Sequence, residues 1–224
     1  MKGFQPALSA KIEQAVELAA QWHDLTYRKS RWREAPFDVP PQETLRVPVV
    51  AHVMSVGLIV QRAGWDEDTV AAAFLHDAVE DVNRYGMVMK RDRLVELVGP
   101  RVAALVFEVT EEKYDAEGKL RSWVDRKRDY IESIRKASPE SAAISLADKL
   151  HNLWSINESL AHGIDLFGEG EDGQRLNAGP ADQSWFYHGV LAAVKAHQDE
   201  RLDDMQQRFA AELERFSHLM GITD

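Results

Sequence analysis

The sequence predicts an all-α fold, a single helical bundle with long loops, and three observations support this. Apolar residues recur three and four positions apart over most of the chain, which is the spacing of a buried helix face. Residues that start and stop helices flank these segments. No stretch shows the strict apolar–polar alternation of a half-buried strand, although the stretch near 85–92 leaves room for one small β-hairpin.

The first part of the chain is predicted to form three helices. The first covers 8–23, and Ser9 is available as its N-cap. The second covers 49–64, where Gly64 is suited to end it. The third covers 67–81 and starts with acidic residues, which favour the positive end of the helix dipole.

The second part of the chain is predicted to be helical as well. A Gly-Pro pair separates two short helices, and a Ser-Pro pair starts a long one, because serine caps helices and proline is tolerated in the first turn. The predicted helices cover 92–99 and 100–110, divided at Gly99-Pro100, then 120–137, 138–160 with Ser138 as N-cap and Pro139 in the first turn, and 182–216 as one helix or two.

Two segments are predicted to be irregular. Residues 29–48 contain several prolines, and residues 163–180 are rich in glycine. Loops of this length inside a compact domain are uncommon and often line a functional site. For the glycine-rich segment, an ordinary surface loop is an equally good interpretation.

Composition excludes several classes of function. The 224 residues include no cysteine, so a metal ion would have to be held by histidine and carboxylate. A formal net charge of −10 argues against nucleic-acid binding but not against a small anionic substrate, which needs only a local basic cluster. There is no signal-peptide pattern and no apolar run of the ~20 residues that span a bilayer. The sequence therefore predicts a cytoplasmic protein without membrane contacts, and it leaves the oligomeric state open.

The stretch FLHDAVED places four polar side chains in an apolar helix. His76 and Glu80 are four residues apart, as are Asp77 and Asp81, so all four lie on one face or on adjacent faces. Three carboxylates near a helix C-terminus oppose the helix dipole. A positive group should offset them, and a divalent cation would do so.

Two other apolar helices carry one polar residue each that fits the same interpretation. Taken alone, His52 is more often a hydrogen-bonded core residue, and Asp148 is more often a cap or an ion-pair partner. Together with the FLHDAVED cluster they form a mixed nitrogen and oxygen ligand set of His52, His76, Asp77 and Asp148. This set suits Mn²⁺, and Fe, Co, Ni or Zn also fit.

The order of these residues resembles that of the HD-domain metal-dependent phosphohydrolases. It is most similar to the hydrolase domain of the RelA/SpoT family and to the free-standing, MESH-like small alarmone hydrolases. The resemblance covers roughly residues 10–160. The motifs that carry it are YRKS at 27–30, AAAFLHDAVEDV at 71–82, LVFEVTEEK at 105–113 and SLADKLHNL at 145–153.

The resemblance implies a reaction, namely Mn²⁺-dependent hydrolysis of the 3′-pyrophosphate of (p)ppGpp to GDP or GTP and pyrophosphate. It also implies that Glu80 and Asp81 are the acidic pair that positions or deprotonates water. Without the ligand set, a solvated helix end would be the better interpretation of this pair. The implied domain is a single HD hydrolase domain over 1–224, in which the helices at 181–218 complete the fold.

Four further residues match substrate-contacting positions of the family. Arg28 matches the residue that packs over the base, Lys29 and Ser30 match its neighbours, and Asn152 matches a hydrogen-bonding position. Without the family context, Arg28 and Lys29 would be ordinary surface charges. Lys149 and His151, which flank Asp148, are interpreted as neighbours of the site or as surface residues.

One segment departs from the family pattern. The link over 31–51 is longer than in relatives, and Val53 rather than proline follows the first metal histidine. The base therefore stays open, and (p)ppApp, NADPH or the substrate of another HD phosphohydrolase are alternatives. A protein of the same fold that binds a nucleotide or a protein partner without catalysis is the alternative outside the enzymes.

Overall fold

The computed structural model describes residues 9–28, 46–168 and 175–222, and these fold into α-helices. Within these ranges no strand forms, so the prediction of a hairpin near 85–92 is wrong. The stretch instead begins inside a turn, in which the backbone amide of Asn83 donates to the Met87 carbonyl at 3.0 Å. The helices are α1 (Ala10–Trp22), α2 (Val49–Arg62), α3 (Glu67–Leu75), α4 (Arg91–Val98), α5 (Pro100–Val109), α6 (Trp123–Lys136), α7 (Pro139–Ala161), α8 (Pro180–Val194) and α9 (Asp203–Met220), with a 3-10 turn at Glu200–Leu202.

The predicted helix starts agree with the structure. The Ser9 hydroxyl accepts a hydrogen bond from the Ile12 amide at the start of α1. Ser138 does the same for α7, where Pro139 is the first helical residue. Gly99, at φ +84°, adopts a backbone conformation that only glycine reaches without strain, and it separates α4 from α5 as predicted.

The structure decides one helix boundary that the sequence left open and corrects another. The segment over 182–216 forms two helices, α8 and α9. The prediction of a helix over 67–81 is wrong beyond Leu75, where α3 ends. The ring of His76 bonds to the Ala73 carbonyl at 2.8 Å, a carbonyl that the next turn of helix would use. The chain continues in turns through Asp81.

Helix α7 lies at the centre of the bundle and packs against α2, α3, α5, α6, α8 and α9. Side chains from all nine helices of the described residues contribute to one apolar core. No helix in the described ranges combines the length and the apolar character needed to cross a membrane.

Helices α2 and α3 approach closely at one glycine. A Cβ atom on Gly57 would lie 2.3 Å from the ring of Phe74, which is far inside van der Waals contact. Gly57 is one and a half turns beyond His52 on α2, and Phe74 immediately precedes the end of α3. This contact therefore sets the spacing between the elements that carry His52 and His76.

Candidate metal centre

Three separate elements bring a histidine or a carboxylate to one buried point. His52 comes from α2, His76 from the residue after α3, and Asp148 from α7. One ligand atom from each lies within 4.8 Å of the others. Asp148 Oδ1 is 3.2 Å from His52 Nε2 and 3.7 Å from His76 Nε2.

Asp77 completes this cluster from the more open side. Its Oδ2 lies 3.5 Å from His52 Nε2, and its Oδ1 lies 3.2 Å from His76 Nε2. The side chain of Asp77 is 23% exposed, whereas those of the other three are almost fully buried. The structure thus brings together all four residues that the sequence predicts as ligands, and their role as ligands stays a prediction.

His76 shows that the cluster suits a cation. Its Nε2 is buried and has no hydrogen-bond partner of acceptable geometry among the described residues. Burial lowers the pKa of His76, but the charges of Asp77 and Asp148 outweigh burial and raise it to about 9. Two carboxylates around an unpartnered ring nitrogen therefore demand a positive charge at this point.

His52 is neutral, in contrast to His76. Burial, together with the nearby Arg28, holds the pKa of His52 well below its usual value. Its Nδ1 lies 2.8 Å from Nδ1 of His151. Two imidazoles and carboxylate oxygens are a ligand set for a divalent transition metal, so the residues present fit such an ion.

Asp148 is held by two neighbours on α7. Lys149 forms an ion pair with its Oδ2, and the Asn152 side-chain amide donates to its Oδ1. Burial alone would raise the pKa of Asp148, but the charge of Lys149 and the two neighbouring histidines hold it well below its usual value. Asp148 therefore stays ionised, as a ligand must be.

A cavity of about 390 Å³ opens next to Asp77. Arg28 lies in its wall, and its Nη2 donates a hydrogen bond to Asn152 Oδ1 at 2.7 Å. The cavity combines cationic, anionic, amide and aromatic groups. The charged and amide residues that line it are Arg28, Lys127, Lys149, Asp77, Asp81, Asn152, Asn177 and Gln183, and its aromatic residues are Tyr27, Trp123, Phe186 and Tyr187.

The two acidic residues predicted as catalytic have different surroundings. Asp81 lines the cavity, and the Trp22 ring nitrogen donates to its carbonyl at 3.0 Å. Burial and the charge of Asp77 raise the pKa of the Asp81 carboxyl. Glu80 Oε1 instead accepts a hydrogen bond from the Glu111 amide at 2.8 Å. Asp81 is thus the member of the pair that faces the cavity.

Some predicted residues lie outside the described parts of the chain, and some lining residues were not predicted. Lys29 and Ser30 fall in 29–45, which the structure does not describe. Lys149 and Lys127 line the cavity although neither was predicted as a site residue. For Lys149 the signal was its position next to Asp148, whereas for Lys127 nothing in the local pattern distinguishes it from its charged neighbours on α6.

Comparisons with known proteins find a matching family and similar chains. Residues 39–166 match the family model described as HD domain. The chain is similar to MESH1 of Drosophila melanogaster, named guanosine-3′,5′-bis(diphosphate) 3′-pyrophosphohydrolase, with 37% identity over 150 residues, 66% of this chain and 70% of that protein. It is 30% identical to human MESH1 of the same name over 157 residues, 69% of this chain and 74% of that protein.

A solved structure supports the same relationship over nearly the whole chain. It is described as a metazoan ortholog of SpoT that hydrolyses ppGpp and plays a role in starvation responses. The match covers 98% of this chain and 100% of that one, with 26% sequence identity and a TM-score of 0.65.

Proposed function

Since this chain belongs to the HD-domain family of phosphohydrolases, alongside the MESH1 proteins, we propose that it hydrolyses the 3′-pyrophosphate of guanosine-3′,5′-bis(diphosphate). The reaction, on ppGpp or pppGpp, yields GDP or GTP and pyrophosphate and depends on a divalent ion, with Mn²⁺ as the leading candidate. One observation carries the proposal. A buried cluster of two histidines and Asp148 adjoins, through Asp77, a cavity lined by cationic side chains.

The metal would be held by His52, His76, Asp77 and Asp148. When bound, a divalent ion supplies Lewis acidity towards a phosphoryl oxygen and lowers the pKa of water. The chain's own contribution begins with the charges around the ligands. Lys149 and the histidines keep Asp148 ionised, and the Asp77 carboxylate bridges the buried cluster and the cavity.

Water addition requires a proton acceptor, and Asp81 is the best placed of the described side chains. Its carboxyl lines the cavity with Asp77, and its raised pKa brings its basicity closer to that of a general base at neutral pH. Water would add to the phosphorus attached to the ribose 3′ oxygen. The bond between that phosphorus and that oxygen then breaks, and the oxygen takes up a proton.

The proposed substrate carries several negative charges, and the cavity offers matching positive ones. Arg28, Lys127 and Lys149 line it in a chain whose formal net charge is −10. Cationic side chains stabilise the charge that develops on phosphate oxygens during transfer. Asn152 holds the Arg28 guanidinium and so sets its position in the wall. The cytoplasmic location and the absence of nucleic-acid and membrane binding stay predictions from the sequence.

The experiment is a substrate comparison with metal-stripped protein reloaded with Mn²⁺. Release of pyrophosphate from ppGpp is expected, and Asp77→Ala should lose both bound metal and turnover. ppApp and NADPH in parallel assays test the base preference. Turnover of ppApp or NADPH but not of ppGpp would contradict the proposed substrate. Bound metal without turnover of any of the three would favour a binding function instead.

A further inference from the structure

The two histidines of the cluster are held by partners of different kinds. A histidine that binds a metal through one ring nitrogen carries its proton on the other, and the partner of that proton fixes the tautomer. For His76 this partner is the Ala73 carbonyl, 2.8 Å from Nδ1. A carbonyl can only accept, so Nδ1 of His76 carries the proton permanently.

For His52 the partner is another imidazole. Its Nδ1 lies 2.8 Å from Nδ1 of His151, and either nitrogen of such a pair is able to donate. Nε2 of His52 is the atom that faces Asp77 and Asp148. To offer a lone pair there, His52 must donate its Nδ1 proton to His151. His151 must then be neutral and carry its own proton on Nε2.

The surroundings of His151 favour this state. His151 lies one turn after Asp148 on α7, and its side chain is partly buried. Its ring centroid is 4.9 Å from that of His52 and 5.5 Å from that of Trp154. His151 also lines a second cavity of about 590 Å³, formed by residues of α2, α7 and α9, which leaves room beside the ring.

We infer that His151 is a positioning residue for metal binding, because it accepts the Nδ1 proton of His52 and so fixes the tautomer that offers Nε2 to a divalent ion. The inference rests on the metal site of the proposed function but on no particular substrate. The role inferred for His151 differs from that of Lys149, which acts on the proposed ligand Asp148 through its charge and not through a tautomer.

The first test measures Mn²⁺ affinity by calorimetry, without substrate. In His151→Asn the amide oxygen replaces Nδ1 as acceptor, whereas His151→Phe keeps a planar ring without one. The Phe variant should lose about 10–100-fold in affinity, the range found for partners of metal ligands, and the Asn variant should keep most of it. Ile59→Val, in the wall of the same cavity, is the control and should bind like the wild type.

The second test reads the tautomers directly, by ¹⁵N NMR of wild-type protein loaded with diamagnetic Zn²⁺. His151 should carry its proton on Nε2 and His52 on Nδ1. A proton on Nδ1 of His151, or equal Mn²⁺ affinity in a folded Phe variant, would overturn the inference while leaving the metal site intact. A wild-type protein that binds no divalent ion would overturn both the inference and the proposed metal dependence.

Discussion

At the scale of single residues, Asp148 shows how the site resolves a conflict between burial and charge. A carboxylate removed from water is costly unless it is paired. From the same helix, Lys149 pairs with Oδ2 and the Asn152 amide donates to Oδ1, which both histidines also approach. One oxygen, Oδ1, still points between the two rings. The arrangement keeps Asp148 charged without surrounding it completely by protein donors.

The role proposed for Asp81 gives the first prediction. Asp81→Asn removes the proton acceptor with little change in size, so kcat should fall by about 10²–10⁴-fold, the usual contribution of a general base. Since Asp81 is not among the proposed ligands, calorimetry should find Mn²⁺ affinity close to that of the wild type. An Asn variant that turns over at the wild-type rate would exclude Asp81 as the base.

The sequence was sufficient to single out the residues that the structure brings together in the cluster, but not all of their neighbours. His52, His76 and Asp148 are polar residues in apolar stretches of the sequence, and such residues need compensation wherever these stretches pack. Lys127 has no such signal, and His151 was predicted only as a neighbour of the site or a surface residue. Their contacts depend on how α6 meets the cavity and on how α2 crosses α7. Local spacing carries no information about these crossings.

At the scale of elements, most helix limits could be predicted because caps and breakers act locally. Ser9, Ser138 and Gly99-Pro100 mark helix boundaries through their own hydrogen bonds or backbone angles. The end of α3 could not be predicted in this way. The His76 ring forms a hydrogen bond with the Ala73 carbonyl. This bond depends on the ring facing the interior of the bundle, which the local sequence does not determine.

The close approach of α2 and α3 gives the second prediction. Gly57→Ala should destabilise the protein, because overpacking costs typically about 1–3 kcal/mol against the ~1 kcal/mol that alanine gains over glycine in a helix. Mn²⁺ affinity should fall as well, since the contact sets the distance between His52 and His76. Chemical denaturation and calorimetry measure the two effects.

Leu58→Ala is the matched control for this glycine. Leu58 is the next residue on α2 and is 57% exposed, so its change should stay within about 0.5 kcal/mol of the wild type. If Gly57→Ala were as stable as Leu58→Ala and bound metal equally well, the α2–α3 contact would not set the geometry of the cluster.

The segment after α5 gives the third prediction, which concerns pH. Glu111 is buried and paired with Arg126 and Lys127 of α6. Burial would raise the pKa of Glu111, but Lys127 and other nearby cations lower it. A lowered pKa stabilises the folded state above the unfolded value of about 4.3, and this stabilisation is lost as pH falls through the folded pKa.

Glu111→Gln should therefore cost about 1.5–3 kcal/mol at pH 7, the usual value of hydrogen bonds to a charged group. As the pH falls from about 4 towards the lowered pKa of the folded state, the difference from the wild type should shrink, because the unfolded wild-type chain takes up a proton that the folded state does not. Urea unfolding at several pH values gives both curves. Curves that stay parallel down to pH 3 would show that Glu111 is not held ionised by α6.

At the scale of the whole molecule, α7 joins the chemistry to the core. It packs against six of the other helices in the described ranges, and it carries Asp148, Lys149 and Asn152 on one stretch. A site supported by the best-packed helix is held in place by the entire core. Arg28, Lys127 and Lys149 line the cavity of a chain whose formal net charge is −10, so a polyanionic substrate would meet positive charge there.

A metal bound to three elements should stabilise the whole fold, and this is the fourth prediction. Mn²⁺ at about 100 times its Kd should add about 2.7 kcal/mol, which raises the Tm of a protein of this size by roughly 5–10 °C. Differential scanning calorimetry of stripped and reloaded protein measures the shift. His76→Ala should show none, and an equal shift in that variant would place the ion elsewhere.

The central claim, that this cluster hydrolyses a 3′-pyrophosphate, is tested most directly by ³¹P NMR. ppGpp is incubated with the Mn²⁺-loaded protein, the ion is then removed by chelation, and the spectrum is recorded. The signals of the 3′ diphosphate should disappear, and those of GDP and free pyrophosphate should replace them in equal amounts. The stripped protein should leave the spectrum unchanged. Orthophosphate in place of pyrophosphate, or intact ppGpp after incubation with the loaded protein, would contradict the account.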